Sequence, residues 1–125
     1  MILVDTDVLI EILDRQSEKG DDLMKRILGS GERYCTSSIN LHELLYGILK
    51  YSKSKGLVRE LPIIGYTEKD AKLSSYLEMA AEKMGNAIPR IDAMIASVAI
   101  NNNYACFTLD KHFNALKEYG LELFD

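Results

Sequence analysis

Short apolar runs alternate along the chain with longer stretches in which apolar residues recur every three or four positions. Ile2-Leu3-Val4 is strand-like, and Val8, Leu9, Ile10, Ile12 and Leu13 then follow at helical spacing, so the chain must turn at Asp5-Thr6-Asp7. Leu23, Met24, Ile27 and Leu28 mark one face of a helix over 21–28 that stops at Gly29-Ser30-Gly31. A second strand is predicted over 33–36. Ser37 and Ser38 can cap the next helix, whose apolar positions Leu41, Leu44, Leu45, Ile48 and Leu49 run to about Tyr51. The stretch 53–59 is basic and broken by glycine, a loop or frayed end. Leu61-Pro62-Ile63-Ile64 suits a short edge strand, where proline is tolerated. Leu73, Tyr76, Leu77, Ala80, Ala81 and Met84 form another helical stripe ending at Gly85. Pro89 opens a helix over 91–100 that is apolar nearly all round and therefore buried. A strand at 105–107, a short helix at 111–118 and a last strand at 121–124 complete the pattern. Strands alternating with helices predict an α/β fold, a central parallel sheet with helices on both faces.

Composition narrows the class without naming it. A chain of 125 residues with 47% hydrophobic and 27% charged positions is sized for one domain with one core, spanning 1–125. The opening run before Asp5 is too short for a signal peptide and the longest apolar stretch, Ala93 to Ile100, too short for a membrane span, so the expected setting is cytoplasmic with no membrane partner. Cys35 and Cys106 both fall in strand-like runs, as small buried hydrophobes do. A zinc site built from them with His42 and His112 lacks any familiar ligand spacing. The net charge of −4 disfavours a nucleic-acid partner, unless clustered acids carry divalent cations that reverse the local field.

Four acids occupy equivalent places in this layout, just past a strand or early in the helix that follows one: Asp5, Glu43, Asp92 and Asp110. Open α/β sheets form their ligand crevice at the carboxyl ends of the strands, where these positions can converge. Asp92 is the most informative, because an ionised carboxylate on so apolar a helix is costly unless something compensates it. Backbone amides and the helix dipole are one such compensation. Gly47, one turn after Glu43, costs about 1 kcal/mol in helix propensity and leaves room beside the acid. Taken singly, Asp5, Asp7 and Asp110 read as helix caps. Taken together, hard carboxylate donors with no accompanying His or Cys set point to Mg²⁺ or Mn²⁺ and to hydrolysis of a phosphodiester. No nucleophilic triad and no glycine-rich phosphate loop competes.

The strings Ile2-Leu3-Val4-Asp5-Thr6-Asp7-Val8-Leu9-Ile10, Ser38 to Gly47 with His42-Glu43, Ile91-Asp92-Ala93-Met94-Ile95-Ala96 and Thr108-Leu109-Asp110-Lys111-His112-Phe113 resemble the signatures of the PIN-domain family. The resemblance covers the whole chain and is nearest to the small toxin ribonucleases of the VapC group. It implies a three-layer sandwich with a parallel sheet in the order 3-2-1-4-5. It further implies Mg²⁺- or Mn²⁺-dependent endonucleolytic cleavage of RNA, a homodimer and inhibition by a cognate antitoxin protein. Asp5 and Asp92 would be the firmest metal ligands and catalytic acids, completed by Glu43 and Asp110 and supported by Thr6, Thr108 and Asp7. Two departures from the pattern stand out: Asp7 replaces a residue more often serine or asparagine, and His112 stands where a further acid is sometimes found. The basic stretch Lys50, Lys53, Lys55 and Arg59 follows the Glu43 helix and reads either as a solvated surface loop or as a contact for the RNA backbone at the rim. The Asp5-Thr6-Asp7 string also resembles the nucleophile motif of haloacid-dehalogenase-type phosphatases, but Leu9 stands where that motif needs threonine or valine. A receiver-type signalling module would need an aspartate ending the third strand, and Ile63-Ile64-Gly65-Tyr66 offers none.

Overall fold

A computed structural model describes residues 1–15, 17–51 and 60–125. Its centre is a parallel sheet of four strands, β1 (Ile2–Val4), β2 (Tyr34–Ser37), β3 (Ile63–Ile64) and β4 (Ala105–Phe107), in the order β3-β2-β1-β4. Helices α1 (Thr6–Leu9), α2 (Glu18–Gly29), α3 (Ser38–Tyr51), α4 (Glu68–Lys83) and α5 (Arg90–Asn102), with a 3₁₀ helix over Lys111–Tyr119, make the crossovers. Side chains on a strand alternate between faces, and the core divides accordingly. Ile2, Val4 and Phe107 pack against Val8, Leu9, Leu23, Ile27, Leu44 and Ile48 from α1, α2 and α3. Leu3, Cys35 and Cys106 face the other way, onto Leu77 and Ala81 of α4, Ala93, Ile95, Ala96, Val98 and Ala99 of α5, and Phe113 and Leu116. The helix predicted to be buried, α5, is the one with the longest run of buried positions.

Two elements differ from the sequence pattern. The strand expected at 121–124 is reduced to one parallel bridge, Cys106 with Leu123, so the sheet has the order 3-2-1-4 and its fifth position is held only by Cys106 N–H to Glu122 O at 2.8 Å and Phe124 N–H to Cys106 O at 2.9 Å. Gly120, at φ 101°, ends the preceding helix immediately before this segment. The first helix also widens from α into a π-helical turn over Ile10–Arg15. There Gly20 of α2 comes so close that a Cβ on it would lie 2.2 Å from the Glu11 carbonyl oxygen, which explains a glycine inside a helix. No described helix is long and apolar enough to cross a membrane.

Candidate metal centre and active site

The carboxyl end of β1 delivers Asp5 to the foot of α1, where it is both helix cap and centre of a hydrogen-bond network. Its Oδ1 accepts from the Thr6 backbone N–H at 2.8 Å and from Asn40 Nδ2 at 2.9 Å, and its Oδ2 accepts from the Thr108 hydroxyl at 2.6 Å. The capping role and the site role are therefore not alternatives. Asn40 Nδ2 is also 2.9 Å from Thr6 Oγ1, and the Thr6 hydroxyl donates to Glu43 Oε1 at 2.8 Å. Thr6 thus ties the exposed Glu43 of α3 to the buried Asp5 of β1. The fourth motif closes the ring: Leu109 N–H donates to Asp7 Oδ2 at 3.1 Å, Asp110 N–H to Thr108 Oγ1 at 3.0 Å and His112 N–H to Asp110 Oδ1 at 2.9 Å.

Electrostatics mark the same residues. Asp5 is 6% exposed, and burial together with the neighbouring Asp7 charge raises its pKa from 3.8 to about 7. Burial, then the Asp110 charge, raises Asp92 from 3.8 to about 6, and burial also raises Asp7. Like charges crowded in a low-dielectric cleft cannot all ionise cheaply without a cation. Among the described residues, Asp7 Oδ1 and Asp92 Oδ2 are buried with no hydrogen-bond partner. Among the described residues no amide donates to Asp92 as it would to a simple helix-start carboxylate, and the N-cap of α5, Pro89, makes no side-chain cap bond. A hard divalent cation fits this donor set, since it satisfies orphaned carboxylate oxygens and neutralises the cluster in one step. One donor atom from each of Asp92, Asp110 and His112 lies within 4.8 Å of the others.

Sequence reasoning selected Asp5, Thr6, Asp7, Glu43, Asp92, Thr108 and Asp110, and these stand in one linked cluster. It missed Asn40, which is fully buried and reaches both Asp5 and Thr6. The available signal was an asparagine on the buried face of α3 one turn before Leu44, which needs a polar partner. It also passed over His112. Gly47 faces open space, with nothing within 4 Å of an added Cβ, so an alanine would fit there and the room near Glu43 does not depend on the glycine. Lys50 is exposed, its ammonium 5.7 Å from the Tyr46 ring centroid and 5.6 Å from that of Tyr51. Lys53, Lys55 and Arg59 lie outside the described residues. Cys35 and Cys106 are free and buried, and burial pushes the Cys35 thiol up to about 11 and raises the Cys106 thiol as well, as expected of inert core thiols.

The PIN-domain profile matches residues 2–119. The chain belongs to the PIN-domain family. It is 33% identical over 128 residues to Ribonuclease VapC1 of Methanocaldococcus jannaschii, a match covering 99% of this chain and 87% of that protein. Among solved structures it is similar to VapBC2 from Rickettsia felis bound to a promoter DNA fragment, with a TM-score of 0.79 and 26% identity over 98% of this chain and 97% of the other. FitAcB from Neisseria gonorrhoeae shares the fold, with a TM-score of 0.78 at 22% identity over 100% and 97% of the two chains. Membership of this family displaces the phosphatase and receiver readings.

Proposed function

We propose that this PIN-domain protein is a divalent-metal-dependent endoribonuclease and the toxin of a toxin–antitoxin pair. The observation that carries the catalytic reading is the pair of orphaned, buried carboxylate oxygens on Asp7 and Asp92 beside a buried Asp5 whose pKa is raised to about 7. Asp5, Asp92, Glu43 and Asp110 would hold Mg²⁺ or Mn²⁺. When bound, the ion supplies a Lewis acid that neutralises the acids, holds a phosphodiester oxygen and acidifies water for attack on phosphorus. The chain's own residues provide position. The Thr108 hydroxyl and Asn40 amide hold the two oxygens of Asp5, and Thr6 holds Glu43, so these two acids from separate elements keep their spacing before substrate arrives. The antitoxin partner is supported by a solved structure of the same fold, VapBC-5 from Mycobacterium tuberculosis, a member of the VapBC family of toxin–antitoxin systems. A homodimer would cover the exposed Tyr76 and Met79 of α4 or Tyr46 and Leu49 of α3.

The test is cleavage of single-stranded RNA by the purified chain, with Mg²⁺ or Mn²⁺ and with a chelator. Cleavage should require the ion and should fall by at least about a hundredfold in Asp5→Asn, the scale on which an electrostatic catalytic group acts. Cleavage that persists in chelator, or survives that substitution undiminished, would sink the reading.

A further inference from the structure

His112 enters the cluster from the fourth motif, and it is the one nitrogen donor among the side chains gathered at Asp92 and Asp110. Its Nδ1 stands 3.1 Å from Asp110 Oδ1 and 3.6 Å from Asp92 Oδ2. The second distance is too long for a hydrogen bond, and Asp92 Oδ2 is buried without any other partner among the described residues. The imidazole thus faces two carboxylates at one edge of the cluster. Two donors on one ion stand at most about twice a ~2.1 Å bond apart. The trio of Asp92, Asp110 and His112, with donor atoms within 4.8 Å of one another, therefore needs only small rotations to share a cation. The backbone favours those rotations. The His112 N–H to Asp110 Oδ1 bond at 2.9 Å anchors the main chain, while the imidazole, 59% exposed, keeps its rotamer freedom.

We propose that His112 is a nitrogen ligand at the Asp92–Asp110 edge of the centre, and that it biases the site toward Mn²⁺ and later first-row divalent ions against Mg²⁺. This rests on the metal-dependent reading above. Mg²⁺ prefers hard oxygen donors, whereas imidazole suits transition ions, so one nitrogen among carboxylates shifts the choice of ion without abolishing Mg²⁺ binding. His42 is the only other histidine in the chain and lies next to Glu43 on α3, which supplies an internal control.

The experiment uses the full chain with no RNA present. Substoichiometric Mn²⁺ is added and pulsed electron paramagnetic resonance reads whether a ¹⁴N nucleus is directly bound. The nitrogen signal should be present in the wild type and in His42→Ala, and lost in His112→Ala and His112→Asp. Competitive titration should show Mn²⁺ affinity falling about tenfold or more in His112→Ala, the range that supporting residues of metal sites reach, with a smaller change for Mg²⁺. His112→Asp should restore Mg²⁺ binding without the nitrogen signal. Mn²⁺ bound by the wild type with no nitrogen signal, or an unchanged Mn²⁺-to-Mg²⁺ preference in His112→Ala, would overturn the assignment while leaving the metal centre intact. Failure of both ions to bind the wild type would remove the centre itself, and Asp92→Asn, expected to weaken both ions in either His112 background, separates the two failures.

Discussion

Replacing Asp92 by asparagine keeps the shape of the side chain and removes a charge that the apo protein holds at a penalty. Its pKa rises from 3.8 to about 6, chiefly through burial and then through the Asp110 charge. At about 1.4 kcal/mol for each tenfold change in proton affinity, keeping Asp92 ionised at pH 8 costs about 3 kcal/mol. Its side chain is 16% exposed, so little of this is lost to solvent screening. The first-turn position on α5 recovers about 0.5–1 kcal/mol through the helix dipole, which asparagine forfeits. The net expectation is that Asp92→Asn stabilises the apo protein by about 2 kcal/mol at pH 8, or roughly 6–8 °C in Tm for a domain of this size. The gain should shrink toward zero near pH 4, where Asp92 is protonated in the wild type as well. Urea denaturation in chelator at both pH values measures it, and a Mn²⁺ titration in parallel should show the order of stability reversing once the wild type is loaded. A variant less stable than wild type by more than about 1 kcal/mol at pH 8 in chelator would refute the reasoning and return Asp92 to a helix-start role.

The apo protein itself should lose stability as pH rises from about 4 to about 7, because a raised pKa means that the folded form binds the proton more tightly. Asp5 alone contributes up to about 4 kcal/mol across that window, complete above about pH 7, and a flat profile in chelator would contradict a burial cost that its hydrogen bonds only partly offset. Gly20→Ala should destabilise by about 3 kcal/mol or more, since its Cβ would collide with the Glu11 carbonyl rather than with a movable side chain; thermal unfolding of a variant with wild-type Tm would show that the π-helical turn yields. Neutralising Lys53 and Lys55 together should weaken RNA binding uniformly and flatten its log-log salt dependence by about one unit per lost contact, with metal affinity unchanged; equal slopes would leave these lysines as ordinary surface charge. Sedimentation should give twice the 14.1 kDa chain mass, and a strict monomer at high micromolar concentration would exclude the dimer.

Local pattern was enough for much of this molecule. The short apolar run Ile2-Leu3-Val4 and the three-and-four spacing on α3 and α4 depend only on residues near one another, and they assign strands, helices and the parallel sheet without knowledge of what packs where. The acids were legible for a related reason, because strand-end positions in a parallel sheet share one edge whatever the crossovers look like. Tertiary structure decided what no local rule can reach. Asn40 becomes a site residue only when α3 packs against α1 and brings its amide between Asp5 and Thr6. The strand expected at 121–124 comes down to one bridge between Leu123 and Cys106 of β4, which depends on how the segment meets the sheet rather than on its propensity. Asp92 was ambiguous in sequence, since an acid in a first helical turn is usually satisfied by amides. Only the packed structure, by leaving its Oδ2 buried without a hydrogen bond beside Asp110 and His112, separates that acid from the ordinary helix-start role.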